Sequence, residues 1–197
     1  MSVPKDHSIE FQDRGQGVPV LFVPGSFSKP AAWKPIFAHL KQSYRVIETS
    51  LCAYGQTSET RPTGDLAMSH QLDVLANVTA RAATPLHIVG HSFGATIALI
   101  FALEYPENVL SLTLFEPHPL CFLREDRCFD ALSDIDFMYA AFCEAMAQKN
   151  ADAARLVIDF LGGVGIYETL PELVKRYCHD TLSTNLLDWR TAKSYRY

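Results

Sequence analysis

Ser92 is the residue of this chain best placed to do covalent chemistry. It lies in Gly90-His91-Ser92-Phe93-Gly94, a G-x-S-x-G stretch with a short apolar run before it and a long helical one after it. The two glycines let the backbone bend where a side chain would clash, and the bend lifts the serine hydroxyl above the edge of a sheet. The amide of Phe93 then points at the oxygen of a carbonyl under attack. The chemistry is nucleophilic, and it needs a base to take the serine proton, usually a histidine oriented by a carboxylate.

The candidate partners are few. His118, just after Glu116-Pro117, is a candidate base, and Glu116 is a candidate acid at the end of a strand beside the bend. The plainer reading of Glu116 is a carboxylate that caps a turn before proline. His91 is expected to pack near the nucleophile and touch substrate without acting as base. His7 and His39 read as surface residues, His70 as the start of a helix and His87 as part of a strand. A competing pair, Asp159 with His179, has the acid before the base but requires residues 156–159 to form a strand. Residues 170–178 before His179 carry a helical period, with Glu172, Lys175 and Arg176 between the apolar positions, which counts against it. No two histidines have metal-ligand spacing on a helix, so neither a metal nor a cofactor is expected.

The elements that must hold these residues follow from periodicity. Residues 86–89 read as a strand, and residues 93–103 as a helix in which nine of eleven side chains are hydrophobic, so it must be covered nearly all round. Residues 18–23 read as a buried strand running into Pro24-Gly25-Ser26-Phe27, a turn suited to presenting backbone N–H groups. Residues 31–40 read as helical, and 44–49 and 109–115 as further strands. Gly15-Gln16-Gly17 reads as a hairpin turn before the strand at 18–23. Strands alternating with helices predict an α/β fold, with a mostly parallel sheet and helices on both faces.

Four segments together resemble the α/β-hydrolase family: Phe22-Val23-Pro24-Gly25-Ser26-Phe27, Tyr44-Arg45-Val46-Ile47 with the loop Tyr54-Gly55-Gln56-Thr57-Ser58, the bend at 90–94, and Leu114-Phe115-Glu116-Pro117. The resemblance implies that Ser92 is the nucleophile and that the amides of Phe93 and of Ser26 or Phe27 form an oxyanion hole, with Gly25 and His91 lining the substrate. Many members have histidine where Pro24 stands. The family order is serine, then acid, then histidine, the last two each following a further strand. The residues after Ser92 account for one strand and a helical cap, so the C-terminal strands of the fold are expected to be absent, and the acid and base are either supplied unconventionally from within these residues or lie beyond residue 197 of a longer product.

The expected division is a core at 1–117 and a helical cap at 118–197. Ile135, Met138, Phe142 and Ala145 recur at helical spacing, as do Leu156, Val157, Phe160 and Leu161 before Gly162-Gly163. Pro171 reads as a first-turn proline, and a polar stretch leads to Trp189. Phe122, Phe142 and Trp189, with Phe129, Phe137 and Tyr139, are expected either to line a cap that favours an apolar substrate part or to pack the cap itself. Two functions stand: a serine hydrolase acting on a small ester, thioester or lactone, and a truncated or non-catalytic protein of the same fold that binds without turnover.

Composition narrows the class. A chain of 197 residues with 48% hydrophobic residues can bury one core, and a net charge of −5 with no basic cluster makes nucleic acid or an anionic membrane a poor partner. The start lacks the apolar run of a signal peptide, and no stretch is long enough to span a bilayer, so the cytoplasm is the expected compartment. Five cysteines without a C-x-x-C pair argue for reduced thiols, with Cys52, Cys143 and Cys178 in apolar surroundings. A strand at 109–115 with no further strand beside it would be an exposed apolar edge, so oligomerisation or poor solubility is expected.

Overall fold

A computed structural model describes residues 8–37, 39–40, 43–125 and 127–196. His7 lies outside them. The chain divides into two compact units, Met1–His118 and Pro119–Tyr197.

Unit 1 is built on a five-stranded sheet of β1 (Gln12–Arg14), β2 (Val18–Val23), β3 (Tyr44–Glu48), β4 (Leu86–His91) and β5 (Val109–Phe115), in the order β1-β3-β2-β4-β5. Every pairing is parallel except that of β1 with β3. The Gly15–Gly17 turn is therefore not a hairpin, because β1 pairs with β3 and leaves β2 to β3's other side. The turn crosses the end of β3 so closely that a Cβ on Gly17 would stand 2.2 Å from the Ser43 carbonyl oxygen, and one on Gly15 2.7 Å from that of Tyr44. Only glycine fits such an approach.

Alternation along the strands sorts the two faces of the sheet. Val20 and Phe22 of β2 pack with Trp33 on one face, joined by Phe37, Leu40, Val46 and Val89. Leu21, Ile47 and Ile88 point the other way and are buried. There α3 (Phe93–Glu104) packs on β2, β4 and β5, with α2 (Ser69–Ala82) against α3. Helices thus occupy both faces. Residues 31–40 are not one helix: a 3-10 turn, Pro30–Trp33, leads into the short α1 (Lys34–Phe37). Pro35 has no amide to donate to Ala31, so a continuous α-helix cannot pass through it.

Unit 2 is helical: α4 (Leu120–Glu125), α5 (Phe129–Ala147), α6 (Ala153–Gly162), α7 (Ile166–Thr169), α8 (Glu172–Asp180) and α9 (Leu182–Ser194). The competing strand at 156–159 is overturned, since these residues form the middle of α6. Asp159 accepts a hydrogen bond at 2.7 Å from the Tyr167 amide, and His179 is exposed on α8. The polar stretch before Trp189 is helix α9, which buries Asn185, Asp188 and Thr191 among its packing positions. Pro171 precedes α8, and its carbonyl accepts the amides of Val174 and Lys175. All five cysteines are free; Cys52, Cys121 and Cys178 are buried, and burial pushes the Cys178 thiol up to about 11.

Candidate active site

The bend after β4 puts Ser92 in a conformation that side chains rarely adopt, φ 55° and ψ −126°. Its backbone is held from both sides. The Ser92 amide donates to the Phe115 carbonyl at 2.9 Å, extending the β4–β5 ladder by one residue, and its carbonyl accepts the amides of Ala95 (3.0 Å) and Thr96 (3.1 Å), which open α3. Strain of this kind persists only where surrounding bonds over-determine it. Phe27 (φ 58°) and Glu116 (φ 51°) are also left-handed, so the turns after β2, β4 and β5 each contain a non-glycine residue in that region.

The two glycines of the bend have separate tasks. A Cβ on Gly90 would stand 2.7 Å from the Ala95 Cα, so Gly90 lets α3 pack down on β4. A Cβ on Gly94 would stand 2.2 Å from the Pro24 carbonyl oxygen and 2.8 Å from that of Val23, so Gly94 lets the turn after β2 rest on the helix start. The same turn brings Gly25 against Ser92: a Cβ there would stand 2.8 Å from the Ser92 Cβ and 3.2 Å from its Oγ. Residues 24–27 and 90–94, read separately in the sequence, thus form one locus. The Phe93 amide opens α3, where the first amides have no carbonyl of their own helix to bond. Pro24, which cannot donate, contributes a carbonyl to this packing rather than an amide.

His91, Glu116 and His118 lie at the same end of the sheet. The His91 Nε2–H donates to Glu116 Oε2 at 3.3 Å, while the imidazole meets the Trp33 indole edge-on with centroids 6.5 Å apart. His118 is tied down by its backbone amide, which donates to Thr96 Oγ1 at 3.1 Å, and by Nδ1, 3.2 Å from the Glu116 carbonyl oxygen. A carbonyl only accepts, so Nδ1 carries the proton and Nε2 keeps its lone pair. Burial, aided by the nearby His91, holds the His118 imidazole below its ordinary 6.5 despite the opposing pull of the Glu116 carbonyl bond. It is therefore neutral at physiological pH. Among the described residues the Ser92 hydroxyl has no hydrogen-bond partner, and neither His118 nor His91 reaches it.

Other sequence candidates fall elsewhere. Phe142 is fully buried and Trp189 nearly so, as packing residues of unit 2 are, whereas Phe122 is half-buried and Phe129 and Phe137 are exposed. Of the two readings of these rings, burial accords with packing for Phe142 and Trp189. The roles of Trp33 and Thr96 were not anticipated. Thr96 had a signal, being the one hydroxyl in an otherwise apolar helix, but Trp33 is brought to His91 only by the sheet. No group of three or more His, Cys, Asp or Glu side chains among the described residues could hold a metal.

A family profile for the alpha/beta hydrolase fold matches residues 18–195. The chain belongs to the alpha/beta hydrolase fold family. Among curated relatives of this alpha/beta hydrolase chain, RutD of Variovorax paradoxus (strain S110), whose name proposes carbamate hydrolysis, is 30% identical over 159 residues, covering 73% of this chain and 60% of that one. The 2-hydroxymuconate semialdehyde hydrolase of Pseudomonas sp. (strain CF600) is 31% identical over 108 residues, 52% of this chain and 37% of the relative. The chain thus spans less than two thirds of either relative. Solved alpha/beta hydrolase structures share the fold at lower identity. The Bacillus megaterium epoxide hydrolase superposes with a TM-score of 0.71 at 20% identity, covering 93% of this chain and 68% of that one. The esterase EaEST from Exiguobacterium antarcticum gives 0.64 at 21% identity, covering 94% and 67%. No described helix is long and apolar enough to cross a membrane.

Proposed function

We propose that this alpha/beta hydrolase chain carries the nucleophilic centre of a serine hydrolase acting on a small ester, thioester or lactone. The observation that carries the reading is the left-handed Ser92, clamped by the Phe115 carbonyl and by α3, with the turn after β2 packed against its side chain. Ser92 Oγ adds to the acyl carbon as a general base takes its proton, which then passes to the departing alcohol or thiol. The negative charge that develops on the carbonyl oxygen is met by the Phe93 amide and by that of Ser26 or Phe27. Collapse of the adduct expels the alcohol or thiol and leaves an acyl-serine, which water hydrolyses to the acid. Of the histidines near this end of the sheet, His118, whose pKa burial holds below its ordinary 6.5, is the candidate base, and the Glu116 carbonyl rather than its carboxylate orients it through Nδ1.

A second reading is favoured by one observation, the absence of any hydrogen bond between Ser92 Oγ and a base among the described residues. In that reading the chain is a hydrolase scaffold that binds small acyl compounds without turning them over. A panel of chromogenic esters, thioesters and lactones separates the two. Leaving-group release beyond one equivalent per chain, lost in Ser92→Ala, is the expected result. Release that is unchanged in Ser92→Ala would contradict the first reading, and no release from a folded sample would favour the second.

A further inference from the structure

Thr96 carries the only hydroxyl of α3 and is buried there, 3% exposed. Threonine is a poorer helix former than alanine, and a buried hydroxyl needs partners, so its place in this apolar helix calls for one outside the helix's own ladder. That partner is the turn after β5. Thr96 Oγ1 accepts the His118 amide at 3.1 Å, and its own proton is left to the Ser92 carbonyl at the long distance of 3.5 Å. All of these residues belong to unit 1.

The bonds around Thr96 close a ring. From Ser92 it runs through the Ser92 amide to the Phe115 carbonyl at 2.9 Å, then along the chain through Glu116 and Pro117 to His118. The His118 amide carries it to Thr96 Oγ1, and the Thr96 amide returns it to the Ser92 carbonyl at 3.1 Å. Two non-glycine residues with positive φ lie on this ring, Ser92 (55°) and Glu116 (51°), and such conformations persist only where neighbours hold them. Every hydrogen bond in the ring joins backbone to backbone except the one to the Thr96 hydroxyl. We propose that Thr96 is a positioning residue, whose hydroxyl holds the turn after β5 against α3 and so keeps Ser92 in its left-handed conformation. The consequence for reactivity rests on the reading of Ser92 as the nucleophile. Without the hydroxyl the His118 amide loses its acceptor, residues 116–118 relax, and the Phe115 carbonyl that fixes the Ser92 amide moves with them.

Amide exchange followed by NMR on the 197-residue chain, paired with the rate of fluorophosphonate labelling, tests the proposal. Thr96→Val keeps nearly the same shape and removes the acceptor, whereas Thr96→Ser keeps it. In the valine variant the Ser92 and His118 amides should both exchange at least about tenfold faster than in the parent chain, with the amides of β2 and β3 unchanged. Labelling of Ser92 should slow by a similar factor in its limiting rate, and not in the reagent concentration at half-saturation. The serine variant should restore both. If the valine variant does not fold by circular dichroism, Thr96→Ala removes the same acceptor and is read in the same way. A Ser92 amide that exchanges as in the parent while that of His118 is released would overturn the proposal, as would a serine variant that behaves like the valine one. A parent chain that takes up no fluorophosphonate yet shows the expected exchange would contradict the hydrolase reading and support the ring.

Discussion

At the scale of single residues, the site is defined by groups that cannot be exchanged for their nearest analogues. Ser92 occupies a backbone conformation that the Phe115, Ala95 and Thr96 bonds impose, and Gly25 lies against it because a methyl group there would press on its Cβ and Oγ. His118 offers a titration that can be followed. Its pKa is lowered in the folded protein, so the folded state binds fewer protons than the unfolded chain on the acid side of 6.5. Its stabilising contribution is therefore complete above that value and is lost as pH falls through the folded pKa. Chemical denaturation across this window should show a fall in stability that is absent in His118→Gln. An identical fall in the variant would assign the effect to other groups. These residues were legible in the sequence because glycine, serine and histidine announce chemistry by type. Trp33 was not, because its approach to His91 and Phe115 depends on sheet order and not on spacing.

At the scale of elements, the close packing of the turn after β2 on the start of α3 is the contact on which the site depends. Gly94→Ala would drive a Cβ into the Pro24 and Val23 carbonyl oxygens, both backbone atoms that cannot rotate aside. The expected loss of stability is on the order of 3 kcal/mol, at the upper end for overpacking. A thermal or urea midpoint close to that of the parent chain would show that the turn yields, and that the site is not rigidly assembled. The strands and the apolar α3 were readable from periodicity alone. Three features were not. Pro35 divides the first helical segment, β1 pairs with β3 instead of folding back on β2, and α9 buries Asn185, Asp188 and Thr191, which break its apolar period. Each depends on a tertiary neighbour or on where a helix must stop, and a period cannot report either.

At the scale of the whole molecule, a five-stranded, mostly parallel sheet with helices on both faces places this chain in the alpha/beta hydrolase fold family, while its sequence spans 60% of RutD and 37% of the semialdehyde hydrolase. Family membership accounts for the sharp bend at Ser92. The relation of Ser92 to a base is the point on which activity turns. The most direct measurement is the intact mass of the 197-residue chain after treatment with a fluorophosphonate, which reacts with an activated serine hydroxyl. A single adduct that disappears in Ser92→Ala is the predicted result, and it would make His118 and Glu116 the next substitutions. A folded chain that takes up no adduct, or one labelled equally in Ser92→Ala, would contradict the assignment of Ser92 as an activated nucleophile.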